Sequence, residues 1–150
     1  MLSTSKINDP KTIKTRFFNL GKIYKPGDGV MPSYNEAQRY FKIAADQGDA
    51  NAQFNLGSLY ELGQGVKQNY KKAVEYYQKS ADQGNAYSQA KLGFLYVNGL
   101  GVDKNYNLAL EYFQKASHQG NANAQCNMGL LYNLGIGVDQ DYKKAVEYYQ

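Results

Sequence analysis

One histidine and one cysteine are the residues whose types could form a base and a nucleophile. His118 and Cys126 lie eight residues apart across a predicted turn, and an imidazole can activate a thiol for nucleophilic attack. The sequence offers no third group to orient the imidazole. A structural interpretation is favoured, in which His118 lies near a helix end, where a partial positive charge suits the dipole, and Cys126 is a small, semi-buried side chain. We therefore predict that the protein is not an enzyme and has no catalytic residues.

Metal and cofactor chemistry finds little support in the residue types. A single cysteine excludes an internal disulfide, and one histidine with one cysteine excludes a zinc site of the usual ligand set. Four Gly-x-Gly pairs, of which Gly63 and Gly65 form one, could suggest a phosphate-binding loop. Such a loop needs a glycine-rich turn between a strand and a helix, whereas these pairs link predicted helices. We interpret them as structural turns and predict neither a cofactor nor a metal.

These residues belong to a 36-residue repeat that runs through the chain. In each copy a Leu-Gly or Met-Gly pair is followed by a tyrosine three residues later. The repeated glycines are Gly21, Gly57, Gly93 and Gly129. Between the 28-residue segments that start at Asn51 and at Asn123, 21 positions are identical, which chance does not produce. The sequence therefore predicts an array of four units in which each unit contacts only its neighbours.

Each unit is predicted to form two helices. In the second unit, Asp49 is a predicted N-cap, and apolar residues then follow with helical spacing up to Gly63, a predicted C-cap. Gly65 allows a second bend, and Asn69 is the predicted N-cap of the second helix. Glu75 and Lys79, four residues apart on that helix, are expected to form an ion pair. The same pairing is expected for the equivalent residues of the third unit, Glu111 and Lys115.

A glycine inside the first helix of every unit indicates how the two helices pack. Glycine in a helix interior costs about 1 kcal/mol relative to alanine, so its recurrence needs a physical reason. We predict a close approach, with the Gly57 backbone against the small side chain of Ala73. The adjacent aromatic residues Tyr76 and Tyr77 widen the apolar stripe of the second helix. One edge of this stripe is expected to meet the partner helix and the other the next unit.

The ends of the chain depart from the repeat. Residues 1–12 are predicted to be an N-terminal tail, with Asp9 and Pro10 beginning the first helix. Residues 13–150 are predicted to be the repeats, in units of about 13–48, 49–84, 85–120 and 121–150. The last unit is cut short relative to the others. We expect a piece of a longer repeat protein, or a monomer.

A set of spaced residues defines the repeat. The second unit carries Ala52-Gln53, Leu56-Gly57, Tyr60 and the Gly63-x-Gly65-Val66 turn, then Tyr70, Ala73, Tyr76, Ala81 and Gly84. These residues and their spacing resemble those of the Sel-one-like repeat family. The resemblance covers about residues 13–150. It departs in the first unit, where Arg16-Phe17 replaces Ala-Gln, and in the second helix, where tyrosine or phenylalanine replaces the family's frequent tryptophan.

This resemblance implies a fold and a general role. The fold is an all-α, right-handed α/α superhelical solenoid of the tetratricopeptide-like type, and the role is that of a scaffold or adaptor that binds proteins. A cysteine-rich branch of the family is linked to β-lactam binding, so a hydrolase resembling that branch is one alternative. That branch pairs cysteines within its repeats, and this chain has only Cys126.

In solenoids of this type the first helices line the concave face, and we predict the binding site there. An asparagine-rich row suits the backbone amides of an extended peptide, because an asparagine amide both donates and accepts hydrogen bonds. A second row differs between units and is therefore free to recognise a specific partner. A third, weaker row contains Lys25, Glu61, Val97 and Asn133. The predicted protein-binding residues are Asn19, Lys22, Asn55, Ser58, Lys91, Phe94, Asn127 and Leu130.

Composition bounds the remaining partners and the location. The chain is 43% hydrophobic and 20% charged, with a net charge of +4. An RNA-binding helical repeat is a second alternative, but the basic residues do not form one stripe, so no nucleic acid is expected. No apolar run approaches the roughly 18 residues of a membrane span, and no secretory signal is evident. We expect a cytoplasmic protein with an unidentified protein or peptide partner and no membrane insertion.

Overall fold

The computed structural model describes residues 10–23 and 33–150, which form α-helices joined by short turns. Within these residues there are eight helices and no strand, so the predicted all-α class is confirmed. No helix found there combines the length and the apolar character that a membrane crossing requires. The helices are α1 Pro10–Ile23, α2 Tyr34–Asp46, α3 Ala50–Leu62, α4 Tyr70–Asp82, α5 Ala86–Asn98, α6 Tyr106–His118, α7 Ala122–Leu134 and α8 Tyr142–Tyr149.

The chain divides into two compact halves, each built from two helix pairs. The N-terminal half runs to Gln83 and contains α1 to α4, and the C-terminal half is Gly84–Gln150 and contains α5 to α8. Within each half, consecutive helices pack against one another. Helix α1 begins at Pro10. The predictions made for residues 1–9 and for the first inter-helix loop, including Asp9 and Lys25, lie outside the described residues.

The helix ends follow the predicted capping residues. Asp49 accepts a hydrogen bond from the backbone N–H of Ala52 at 2.8 Å, and Asn69 accepts one from Lys72 at 3.0 Å. Gly63 ends α3 in the left-handed conformation with φ +66°. These contacts satisfy backbone groups that an α-helix leaves unpaired at its ends. The predicted caps are therefore confirmed.

Gly65 is needed both for its backbone conformation and for space. Its φ is +70°, and a Cβ atom placed on it would lie 2.5 Å from the backbone carbon of Tyr34. The equivalent glycine of the C-terminal half, Gly137, packs in the same way against Tyr106. The loop inside each of these units thus lies against the start of the second helix of the preceding unit, which explains the second glycine of the pair.

The glycine inside each first helix lies under an aromatic ring of the second helix. A Cβ atom on Gly57 would lie 2.8 Å from two ring carbons of Tyr77 and 3.3 Å from the carbonyl oxygen of Ala73. The predicted close approach is therefore correct, but its main partner is the ring of Tyr77 and not the side chain of Ala73. The same arrangement recurs in the other units, as the pairs Gly21 with Phe41, Gly93 with Phe113 and Gly129 with Tyr149.

The other aromatic residue of the second helix stacks on its own first helix as well. The rings of Tyr76 and Tyr60 lie 5.8 Å apart and nearly parallel. Equivalent stacks join Tyr96 with Tyr112 and Tyr132 with Tyr148. Both adjacent aromatic rings therefore contact the partner helix. The contact with the next unit is visible at Phe41, which is fully buried in one cluster with Leu56 and Leu59 of α3.

The buried glutamine of the Ala-Gln pair forms hydrogen bonds with the turns that precede and follow its unit. The side chain of Gln53 is buried, donates to the carbonyl oxygen of Ala45 at 3.2 Å and accepts from Gln83 at 2.8 Å. In the C-terminal half, Gln119 donates to Gln89 at 2.9 Å in the same way. A buried amide needs such partners to offset its lost hydration, and these bonds supply them.

We expect substitutions of Gly57 to lower stability although they improve helix propensity. Alanine in place of glycine favours a helix by about 1 kcal/mol, but the added methyl group would overlap the fully buried ring of Tyr77. Gly57→Leu should cost about 1–3 kcal/mol or more through overpacking, and Gly57→Ala should give no net gain. Urea unfolding followed by circular dichroism measures both variants. An unchanged midpoint for Gly57→Leu would contradict the close approach, and Lys71→Ala on the exposed side of α4 serves as the control.

Candidate functional site

The N-terminal half holds four of the predicted binding residues, and their side chains differ in how free they are. Asn19 and Lys22 on α1 are exposed, and the ammonium of Lys22 lies 5.7 Å from the ring centroid of Phe18. Asn55 and Ser58 on α3 are half-buried. The amide of Asn55 donates to the carbonyl oxygen of Asn51 in its own helix at 2.8 Å. This part of the predicted site is polar and partly engaged in local hydrogen bonds.

The C-terminal half presents a more apolar surface at the equivalent positions. Phe94 on α5 and Leu130 on α7 keep 42% and 45% of their surface exposed, although both are large apolar residues. Lys91 and Asn127 are half-buried, and the Asn127 amide donates to the carbonyl oxygen of Asn123 at 2.8 Å. Helices α5 and α7 contact each other. Phe94 and Leu130 thus occupy equivalent positions on two neighbouring helices.

Two further exposed residues of the C-terminal half were missed by the sequence interpretation. Tyr87 is 63% exposed and precedes Phe94 by seven residues, while Leu134 is 54% exposed and follows Leu130 by four. Both spacings return to the same helix face, so helical periodicity could have identified them. We call these four residues, Tyr87, Phe94, Leu130 and Leu134, the apolar stripe.

Charge is distributed unevenly between the two kinds of helix. Helix α7 contains no charged residue, α5 contains only Lys91, and α3 contains only Glu61, which is buried. The second helices carry most of the charges, as in α4 with its three lysines, one glutamate and one aspartate. The exposed part of α3, α5 and α7 is therefore suited to apolar contacts and neutral hydrogen bonds and poorly suited to ion pairing.

An open pocket of about 290 Å³ adjoins one end of the apolar stripe. Its walls are Ala86 and Tyr87 of α5 together with residues 119–123, which include the turn before α7. The side-chain oxygen of Asn121 caps α7 by accepting from Ala124 at 2.9 Å. The pocket has room for a single side chain of a bound segment, next to the phenol of Tyr87.

Glu61 lies inside the protein, so its predicted place on the exposed surface is wrong. It is only 8% exposed and accepts a hydrogen bond from the hydroxyl of Tyr77, which is fully buried. The cause is the position of Glu61 one helical turn after Gly57, because the ring that covers the glycine directs its hydroxyl at the next residue on that side. The i+4 relation to a buried glycine was the signal that could have revealed it.

The buried pair changes the acid–base chemistry of Tyr77. Burial raises the pKa of Tyr77 far above its ordinary value, and the hydrogen bond to Glu61 and the charge of that carboxylate raise it further. A hydrogen bond with Ser58 acts in the opposite direction. Ser58 is therefore engaged with the interior as well as being part of the predicted binding set. In the third unit the same positions hold Val97 and Phe113, an apolar version of the pair.

His118 and Cys126 are both exposed, which differs from the semi-buried position predicted for Cys126. His118 is the last residue of α6, as its predicted place near a helix end required. Among the described side chains, no three histidine, cysteine, aspartate or glutamate residues are grouped so that they could hold a metal ion.

The predicted ion pairs on the second helices are wrong, because the lysines lie over aromatic rings instead. The ammonium of Lys79 is 5.3 Å from the ring centroid of Tyr76, and that of Lys115 is 5.5 Å from Tyr112. On the same helix, the ammonium of Lys72 lies 5.1 Å from the ring centroid of Tyr60, the stacking partner of Tyr76. A cation over an aromatic face is attracted by the ring quadrupole, and here this attraction replaces the expected pairing with carboxylates.

Comparison with known proteins identifies the repeat. The Sel1 repeat model matches residues 18–49, 50–85, 86–121 and 122–150, which is nearly the whole chain in four copies. No curated protein sequence matches the chain at a significant level.

Solved structures with the same architecture support this assignment. A Sel1 repeat protein from Oxalobacter formigenes is 35% identical with a TM-score of 0.85, over 99% of this chain and 59% of that one. A protective antigen of uropathogenic Escherichia coli strains with an SLR fold is 36% identical with a TM-score of 0.83, over 92% of this chain and 30% of that one. The cysteine-rich protein B of Helicobacter pylori, at 24% identity and a TM-score of 0.62 over 77% of this chain and 92% of that one, shows the shared fold alone. This chain spans 59% and 30% of the length of the first two proteins.

We expect the Glu61–Tyr77 pair to be strongly coupled in stability measurements. Tyr77→Phe removes the hydroxyl that donates to the buried Glu61 carboxylate, and Glu61→Val removes the acceptor of that hydroxyl, so each should cost about 1–3 kcal/mol. The double variant recreates the Val97 and Phe113 pair of the third unit and should cost much less than the sum. Urea unfolding of the four proteins measures the coupling free energy. Additive effects would mean that the two side chains do not interact.

The same pair predicts sensitivity to alkaline pH. In the unfolded chain Tyr77 loses its proton near its ordinary pKa of about 10, whereas the folded protein retains that proton. The contribution of Tyr77 to the free energy of unfolding should therefore not change with pH below about 10. Above that pH the free energy of unfolding should fall by roughly 1.4 kcal/mol per pH unit. Tyr77→Phe with Glu61→Val should remove this part of the decline. Equal slopes for the wild type and the double variant would contradict the prediction.

Proposed function

Since the chain belongs to the Sel1 repeat family, we propose that it is a non-catalytic scaffold or adaptor that binds a peptide or protein segment through its first helices. Proteins of this family generally act as scaffolds for protein interactions. The observation that carries the proposal here is the apolar stripe, formed by four large exposed side chains on two neighbouring helices that carry only one charge between them. Exposed apolar groups that cluster in this way are typical of recognition surfaces.

The repeat itself separates packing residues from residues that are available for recognition. Positions that are the same in every unit, such as Gly57 and its equivalents, are explained by the contact with the second helix. The position of Phe94 is occupied by Lys22, Ser58 and Leu130 in the other units, and the side chains at this position are exposed in all units except the second, where Ser58 is half-buried. Variation at an exposed position of an otherwise repeated surface is what sequence-specific binding of a segment needs.

The chemistry of the stripe defines the class of partner segment. Its four members offer aliphatic and aromatic surface, and the adjoining pocket of about 290 Å³ can take one side chain beside Tyr87. Asparagine amides such as that of Asn127 flank the stripe and can contribute neutral hydrogen bonds. The partner is therefore an apolar segment, bound by burial of surface more than by charge. Binding should depend weakly on salt, in contrast to RNA binding, in which phosphate contacts make affinity fall steeply with salt.

The affinity for the partner should fall when the apolar stripe is made polar. Phe94→Ser with Leu130→Ser removes the two central apolar side chains, and we expect affinity to fall about tenfold or more. The matched control is Tyr142→Ser with Val146→Ser, which removes apolar residues that are 63% and 53% exposed on α8. Proteins captured from an extract of the source organism by each variant, identified by mass spectrometry at 50 and 200 mM salt, give the measurement.

Three outcomes of this experiment can be distinguished. A protein retained by the wild type and the α8 control but lost by the stripe variant supports the proposal. A protein retained equally by all three moves the site to another surface. Capture of RNA that disappears at the higher salt concentration would favour the nucleic-acid alternative. A fluorophore on Cys126, the only thiol, provides a direct reporter, because this exposed residue lies one turn before Leu130 on α7.

A further inference from the structure

One side of α5 carries a cationic residue between two aromatic ones. Tyr87, Lys91 and Phe94 follow one another at intervals of four and three residues, and Asn98 comes four residues later. This spacing places the four residues on one side of the helix, within about one sixth of its circumference. Lys91 is half-buried and the other three are exposed. We call these four residues the α5 face.

The α5 face is where this helix departs from the repeat. Helices α3 and α7 hold the same residue at four positions where α5 holds a different one. Tyr87 and Lys91 each replace an asparagine, and Asn98 replaces a leucine. The fourth position is Ser88, which is buried. Since α1 also holds an asparagine, Asn19, at the position of Lys91, three of the four units fold with asparagine there, and packing does not require the lysine.

Helix α7 lies beside α5, with equivalent positions next to each other. The pocket of about 290 Å³ is lined by Tyr87 of α5 and by Asn123, the residue at the equivalent position of α7. By the same repeat spacing, Lys91 is level with Asn127, whose amide donates to the carbonyl oxygen of Asn123 at 2.8 Å. One turn further on, the exposed apolar residues of the two helices are level. The surface therefore changes from a pocket beside a phenol, to an ammonium beside an amide, to two large apolar side chains.

The charge on this surface is positive. Neither α5 nor α7 contains an aspartate or a glutamate, and Lys91 is the only lysine or arginine on the two helices. Because Lys91 lies between Tyr87 and Phe94 on the same side of α5, a segment that covers both aromatic residues also covers the ammonium. Removing an ammonium from water is costly, and a carboxylate on the covering segment offsets this cost. The charge therefore favours an acidic group on the segment and disfavours a basic one.

We propose that the partner segment carries an aspartate or glutamate flanked by apolar residues, and that its carboxylate accepts hydrogen bonds from the ammonium of Lys91. This inference rests on the function proposed above and specifies the chemistry of its partner. One flanking apolar side chain occupies the pocket beside Tyr87, and the other contacts Phe94 and Leu130. Tyr87 and Phe94 are about 10 Å apart along the helix axis, which sets the separation of the two apolar groups. Burial of apolar surface supplies most of the affinity, and the ion pair fixes the register.

The test selects short random peptides displayed on phage, with the whole chain as the bait. The wild type should enrich peptides in which one aspartate or glutamate lies between two large apolar residues. Lys91→Asn introduces the residue that the other three units hold, and it should remove the acidic preference while the apolar preference remains. Lys91→Glu should select lysine or arginine at the same place. Lys143→Asn, on the exposed surface of α8, is the matched control and should select the same peptides as the wild type.

The affinity of a selected peptide measures the contribution of the ion pair. Fluorescence polarisation compares this peptide with a counterpart in which an amide replaces the carboxylate. The replacement should weaken binding to the wild type about fivefold or more and should have little effect on binding to Lys91→Asn. An equal effect on both proteins would place the carboxylate at another cation and overturn the inference.

The outcomes separate this inference from the proposed function. Apolar peptides that fail to bind Phe94→Ser with Leu130→Ser, but show no acidic preference that depends on Lys91, overturn the inference and leave the proposed function standing. If the selected peptides bind Phe94→Ser with Leu130→Ser as well as they bind the wild type, or if no peptide is enriched, both are overturned. Circular dichroism confirms that each variant is folded.

Discussion

The contact on which the helix pairs depend is an aromatic ring packed against a glycine backbone. A ring at the position of Tyr77 can reach the axis of the first helix only where the first helix has no Cβ atom, as at Gly57. In the first three units the cost of glycine in a helix interior is offset by a large buried ring, whereas the equivalent Tyr149 of the fourth unit is 52% exposed. The same ring can also pack against the next unit. The fully buried Phe41 does so, since it belongs to one cluster with Leu56 and Leu59 of α3. One side chain thus holds a unit together and joins it to its neighbour.

This contact also determines which side of a first helix remains exposed to solvent. In the C-terminal half, α7 has one side against its own second helix and another against the preceding helix pair, so its outward side can vary without loss of packing. The charged residues are carried mainly by the second helices. The separation explains how Phe94 and Leu130 can stay exposed in a protein with a net charge of +4.

The fold could be predicted from the sequence because its determinants are local and repeated four times. A cap such as Asp49 and a turn glycine such as Gly63 act within a few residues, so spacing alone identifies them. The lysine contacts were mispredicted, because the choice of Lys79 between a carboxylate and a ring depends on where the ring of Tyr76 stacks. Glu61 was placed on the exposed surface for a related reason. Helix periodicity alone assigns it to the outward side of α3, but the close helix contact at Gly57 brings the hydroxyl of Tyr77 within hydrogen-bonding distance of its carboxylate. The binding residues themselves remain a prediction, because exposure alone does not identify a partner.

Near-identical units make the few differences between them informative. In the second helices of units two and four, residues 70–78 and 142–150 are identical, while all seven differences in the compared 28-residue segments fall in the first helix, the loop and the cap. The second helices of units two and four are therefore constant in these residues, and each forms the same tyrosine stack with its first helix. The unit before each of them differs, because Gln114 occupies the position of Lys42 and His118 occupies the position of Asp46. Both Lys42 and Gln114 are exposed, so packing requires neither residue, and the two halves can differ at this position while the stack is kept.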